Sequence, residues 1–162
     1  MRYVTNPLAL YEGASYTKRM NWLTEQFSNA GMLEYRVWYE SLDKPFFAPE
    51  PWVFGAAWGF VYPLLAIAFI YTVYLFYKKQ VSRGFLWLFA LNIVLNLTFT
   101  AVALGTKNNA LASLHILLVL GTLAWLELGA WKKSKVVFVL LLPYLLWGTF
   151  ATTLQIVITI MN

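Results

Sequence analysis

The residues of this chain able to do chemistry are few, and they lie inside four long apolar runs. Asn92, Asn96, Thr98 and Thr100 fall in the second run, Ser113, His115 and Glu127 in the third, and Thr149, Thr152, Thr153 and Gln155 in the fourth. A polar group in hydrocarbon is costly, so each is expected to face protein rather than lipid. Asn92 and Asn96, four apart, share a helix face. Two amides there can hydrogen-bond across a bundle or hold the polar end of a ligand. His115 is the single histidine and has no second ligand-type residue at metal spacing, and the chain has no cysteine. No metal and no cofactor are therefore expected. Glu127 lies one turn before Trp131 and a run of lysines, where it is expected to reach water or a lysine; a proton relay is the functional alternative. No Ser/His/acid set, carboxylate pair, phosphate loop or dinucleotide fingerprint is present, so the chain is expected not to be an enzyme.

The elements that must position these residues are set by the solvent the composition implies. Of 162 residues, 60% are hydrophobic, 19% aromatic and only 12% charged, a balance suited to a bilayer. A spanning helix needs about 20 mostly apolar residues, and the runs over residues 52–77, 85–104, 110–131 and 136–161 are each long enough. Connections of about four to eight residues permit only antiparallel neighbours. The expected fold is all-α: an integral membrane bundle of four transmembrane helices, 52–162, preceded by an N-terminal region, 1–51. In that region residues 1–14 read as an irregular arm. Tyr16, Met20, Leu23 and Phe27 mark an amphipathic helix over 15–30, and Met32, Tyr35, Trp38 and Leu42 suggest a second short one. Residues 1–37 hold no run long enough to cross a bilayer, and no signal peptide is visible.

The net charge is +5, yet the basic residues are not arrayed on a face that would suit nucleic acid. Lys78, Lys79 and Arg83 follow the first run and Lys132, Lys133 and Lys135 the third, against Lys107 alone between the second and third. That asymmetry places the two basic loops on the cytoplasmic or matrix side, opposite Lys107, the C-terminus and the loop over residues 38–52. Pro45, Pro49 and Pro51 make this loop stiff, and with Phe46, Phe47 and Trp52 it reads equally as a lid or as an aromatic-belt connector. Pro63 and Pro143 can bend the first and last helices. Gly55, Ala56, Ala57 and Gly59, with Gly148, Ala151, Thr152 and Thr153, can let backbones approach closely. Eight Trp, ten Tyr and twelve Phe serve belt anchoring and also suit a flat apolar ligand held between helices.

Trp38-Tyr39, Leu42, Lys44-Pro45, the proline cluster, Trp52, Trp58 and Tyr62 resemble the signature of the TspO/MBR family, the tryptophan-rich sensory proteins and the mitochondrial translocator protein. Leu95-Asn96 through Gly105 and Leu142-Pro143-Tyr144-Leu145-Leu146-Trp147 through Leu154 are similar to later helices of that family. The resemblance runs from about Trp38 to Met161. It implies a bundle with a cavity beneath the first loop that binds cholesterol, porphyrins and related flat ligands. Carried over residue by residue, the ligand-binding set would be Trp38, Leu42, Pro45, Trp52, Asn96, Trp147, Phe150, Ala151 and Leu154. The departures are also specific. The family's first spanning helix is missing before Trp38, Phe46, Phe47, Leu97, Phe99 and Leu111 stand where the family usually has tryptophan, and Gln155 replaces an asparagine. The chain end, Gln155 to Asn162, lacks the tyrosine and basic residue of the animal cholesterol motif.

Two functions follow. One is a membrane protein binding sterol or tetrapyrrole in a cavity between helices, without catalysis. The other is a structural accessory subunit of a larger membrane complex, in which the ligand function has been lost. The expected partners are membrane lipids, a sterol or porphyrin, and either a second copy or other subunits; nucleic acid is not among them. The expected location is a mitochondrial membrane.

Overall fold

Caps and short connectors divide the apolar sequence into four helices: α1 (Pro51–Tyr77), α2 (Arg83–Thr106), α3 (Asn109–Lys133) and α4 (Lys135–Met161). They belong to a computed structural model that describes residues 37–162. The arm, the amphipathic helix over 15–30 and the start of the second lie outside the described residues. The chain divides into two units, Met1–Leu42 and Asp43–Asn162. In the first, residues 37–41 are helical, and the Ser41 hydroxyl donates to the Trp38 carbonyl at 2.7 Å. All four long helices belong to the second unit, and each is long and apolar enough to cross a membrane.

The helix ends follow from local chemistry. Pro51 opens α1, where its missing N–H costs nothing. The same helix closes through paired bonds from Gln80 N–H to the Leu75 carbonyl and from Lys79 N–H to the Phe76 carbonyl, both 2.9 Å, with Lys79 at φ 59°. Ser82 and Asn108 cap α2 and α3, accepting from Phe85 N–H at 3.3 Å and Leu111 N–H at 3.0 Å. Ser134 alone separates α3 from α4, and its hydroxyl accepts from Val137 N–H at 3.4 Å. The connectors, residues 78–82, 107–108 and 134, are shorter at two of three places than the four to eight residues expected. At 134 the reason is that Lys132, Lys133 and Lys135 stay helical and carry their charges outward on long stems, and at 107–108 that Gly105, Thr106 and Asn109 are helical.

α3 packs along both α2 and α4, while α1 lies against α4 and touches α2 only lightly. The buried stripes recur at three- and four-residue spacing: Val61, Leu65, Ala68, Thr72 and Leu75 on α1; Phe85, Phe89, Asn92 and Asn96 on α2; Val119, Leu123, Leu126 and Ala130 on α3; Val137, Leu141, Tyr144 and Gly148 on α4. At the end bearing the basic residues α2 and α3 close tightly, since a Cβ on Gly129 would stand 2.8 Å from the Phe85 ring. Pro63 and Pro143 sit within helices that run on through them.

The opposite end is closed by the proline loop. Asn162 accepts from Asp43 N–H at 2.9 Å and donates to the Asp43 carbonyl at 3.0 Å, so one side-chain amide reads both main-chain groups of the loop residue. Loop and C-terminus therefore meet at the same end of the bundle.

Candidate functional site

Aromatic side chains at helical spacing on two facing elements build the site. Phe54, Trp58 and Tyr62 stand four apart on α1, and Tyr144, Trp147 and Phe150 three apart on α4. The spacing puts each trio on one face. Their rings meet: Phe54 and Trp147 at 5.7 Å, Trp58 and Trp147 at 6.4 Å, Trp58 and Tyr144 at 6.1 Å, and Trp147 and Phe150 at 5.4 Å between centroids. Trp58 also stacks on Tyr62 at 5.0 Å. The loop joins from above, Phe47 lying edge-on to Phe150 at 6.5 Å. A continuous set of rings thus runs from the proline loop to the middle of the bundle, in the edge-to-face and stacked arrangements aromatic rings prefer.

Below and beside the rings lie polar atoms with no partner. Trp147 Nε1, the Tyr144 hydroxyl, Asn96 Oδ1, Asn92 Oδ1 and Thr152 Oγ1 are all buried and make no hydrogen bond. The Tyr144 hydroxyl faces the amides of Asn96 and Asn92, but outside hydrogen-bonding geometry. Buried polar atoms in proteins are nearly always paired, so this group of unpaired ones sets the region apart from the rest of the bundle. Here the offered groups are an indole N–H donor, amide oxygen acceptors, and two hydroxyls that can do either.

The two asparagines separate in role. Asn92 donates through Nδ2 to the Val119 carbonyl at 2.9 Å and to the Thr122 hydroxyl at 2.8 Å, which ties α2 to α3. Asn96 has no such tie: its amide lies near the Tyr144 hydroxyl, and its oxygen is buried without a partner. His115 Nε2 shares a hydrogen bond with the Leu95 carbonyl at 2.8 Å, a further tie between α3 and α2. A third polar tie joins α3 to α4 near the loop, where Ser113 meets Thr159 at 2.7 Å and Thr159 donates to the Asn109 carbonyl at 3.0 Å.

Two expectations need correction. Glu127 reaches neither water nor a lysine: it is 4% exposed, and neither carboxylate oxygen has a partner among the described residues. It lies on the inward stripe with Leu123, Leu126 and Ala130, and that register, rather than its closeness to the helix end, decides its surroundings. Nor do all the span hydroxyls face protein. Thr98, Thr149 and Thr153 are exposed, and each donates to the carbonyl four residues back, at 2.7, 2.8 and 2.9 Å. A threonine satisfied by its own helix can face lipid.

Of the residues singled out from the sequence, Trp147 and Phe150 meet directly, with Ala151 half-buried beside them on α4 and Leu154 buried farther along. Asn96 is buried on α2 and reaches the cluster through Tyr144. Pro45 is half-buried in the loop and accepts from Ala48 N–H at 2.9 Å. Trp52 stands 72% exposed on the first turn of α1, outside the ring set. Trp38 and Leu42 belong to the first unit. The ligand-binding set drawn from the sequence omitted Phe54, Trp58, Tyr62, Tyr144 and Thr152, although Trp58, Tyr62 and Tyr144 lay in the family-like motifs and Thr152 among the polar residues of the spans. The signal was available in the four-residue spacing of Phe54, Trp58 and Tyr62, and in the Tyr144–Gly148–Thr152 stripe.

A bundle whose described residues form four spanning helices, with an aromatic face beneath a proline-rich loop, is an integral membrane protein of a recognisable kind. Residues 17–161 match the TspO/MBR family, and the chain belongs to that family. It is 38% identical over 122 residues to the tryptophan-rich protein TspO of Bacillus cereus, covering 74% of this chain and 77% of that one. It is 36% identical over 138 residues to an uncharacterized membrane protein, YtaB, of Bacillus subtilis, covering 84% and 88%. To the human translocator protein it is 32% identical over 125 residues, covering 73% and 70%.

Proposed function

We propose that this chain is a non-catalytic membrane protein that binds a flat, mostly apolar ligand with a polar edge, a sterol or a tetrapyrrole, between the loop-side halves of α1 and α4. The observation that carries this is the Trp147 indole: its N–H is buried without an acceptor in the middle of a cluster of rings. Ring faces match a flat apolar body, and Trp147 Nε1, Asn96 Oδ1 and the Tyr144 hydroxyl would meet its polar edge. Asn96, Trp147, Phe150, Ala151 and Leu154 are the proposed lining, with Pro45 stiffening the loop above. Trp38, Leu42 and Trp52 enter the proposal through the family resemblance.

The test is titration of the intact protein in detergent with protoporphyrin IX and, separately, cholesterol, followed by tryptophan fluorescence. Saturable binding of one of them is expected. Trp147→Phe, which keeps a ring and removes the N–H, should weaken it about five-fold, and Trp147→Ala more than about ten-fold. No saturable binding of either probe would overturn the proposal.

A second reading, an accessory subunit of a larger membrane complex or a homodimer, is favoured by one feature. No side chain over residues 51–60 is buried, and a Cβ on Gly55 or Gly59 would meet nothing within 4 Å. Gentle extraction and native electrophoresis distinguish the readings, since a subunit migrates only within a large complex. Relatives from two Bacillus species give a mitochondrial location no support, and the assignment that stands is to a membrane.

A further inference from the structure

From Pro51 to Asn162 the chain carries seven basic residues and one acid. Six of the seven basic residues gather at one end of the bundle: Lys78 and Lys79 after α1, Arg83 opening α2, Lys132 and Lys133 closing α3, and Lys135 opening α4. All six are exposed. Their contacts among the described residues are with aromatic rings: Lys135 Nζ lies 3.0 Å above the Trp131 ring centroid and Lys78 Nζ 5.6 Å from that of Tyr74. The one acid of these helices, Glu127, is buried and neither of its oxygens has a partner among the described residues.

Two features of this end go beyond a topology signal. The retention of lysine and arginine on one side of a membrane is nearly indifferent to acids, so it does not explain why no acid is interspersed here. It also does not explain Arg83 and Lys135. Each opens a helix with no acid in its first turn, where the helix dipole already contributes partial positive charge and a cation is unfavourable. Lysines at the ends of α1 and α3 suit the dipole; these two oppose it. An anion outside the protein would offset both.

We propose that this end is a binding surface for anionic phospholipid headgroups of the adjoining leaflet, with the phosphodiester held over the starts of α2 and α4 by Arg83, Lys135 and the lysines beside them. The depth fits. Tyr74, Tyr77, Trp87 and Trp131 are 52%, 78%, 66% and 54% exposed at this end, the place of an interfacial aromatic belt at headgroup level. A soluble phosphate would have no use for that belt.

The test is native mass spectrometry of the intact chain from detergent containing equal phosphatidylglycerol and phosphatidylcholine of the same acyl chains. Each cation near a charged headgroup contributes about five-fold, so retention of phosphatidylglycerol should exceed phosphatidylcholine by about ten-fold or more. The triple variant Lys132→Gln, Lys133→Gln, Lys135→Gln should lose most of this preference, the corresponding arginine triple should keep it, and Lys107→Gln at the other end should leave it unchanged. Circular dichroism checks that each variant is folded. Equal retention of the two lipids, or full selectivity in the glutamine triple, would overturn the proposal. So would displacement of the lipid by inorganic phosphate at matched ionic strength, which would point to a soluble anion, or capture of an acidic protein with no lipid preference.

Discussion

The two ends of the bundle use the same four helices in opposite ways. At the basic end Leu75, Val81, Phe85, Leu126, Ala130 and Val137 are buried against one another, and Gly129 lets the Phe85 ring lie against the α3 backbone. At the loop end α1 buries nothing before Val61, the rings of Phe54, Trp58 and Trp147 are only half covered, and unpaired polar atoms collect beside them. Between helices in lipid, close packing is the main source of association, since hydrocarbon chains solvate apolar side chains as well as protein does. The filled end therefore holds the fold together, while the loosely covered start of α1 is where the ligand is proposed to bind. Stability and binding should respond to different residues.

The largest expected effect comes from overfilling the packed end. Gly129→Val would force the Phe85 ring out of its place and cost about 3 kcal/mol, read as a lowered unfolding temperature in detergent. Gly129→Ala should cost less. A valine variant as stable as the native protein would mean that the packed end is not what holds the bundle. Glu127 is the exception to that end's apolar logic. A carboxyl buried without a partner costs desolvation and returns nothing, so Glu127→Met should raise stability by about 1–2 kcal/mol; a loss on the same scale would show that the carboxyl has a partner that matters. The smallest effect belongs to the loop end. Asn162→Ala removes both bonds to Asp43 and should cost at most about 1 kcal/mol, while backbone amides over residues 43–50 exchange faster with deuterium. Unchanged exchange there would show that the loop is held by other contacts.

Much of the fold was legible because a bilayer imposes simple rules. Helix ends fall within two residues of the apolar runs over 52–77, 85–104, 110–131 and 136–161, since only a helix satisfies its own backbone in hydrocarbon. The candidate site was legible only in part. Trp147 and Phe150 were visible in the family-like stretch that contains them. Phe54 was not singled out, and Tyr62 entered only the family signature, because an aromatic residue on a spanning helix reads equally as belt, packing or lining until its neighbour is known. Trp52, expected to line the site, stands 72% exposed on the first turn of α1.

What the sequence determined by itself is therefore everything that depends on one helix at a time: the four spans of the described residues, the gathering of six basic residues at one end of them, and the family. What only the tertiary structure decided is what depends on the register between helices. It separated Asn92, used up on Val119 and Thr122, from Asn96, which keeps an unpaired oxygen. It turned Glu127 inward rather than to water, and it set the Asn162 amide on Asp43 across the whole length of the domain. The physical reason is that spacing along a helix fixes which residues share a face, while the packing of one helix on another fixes what that face meets.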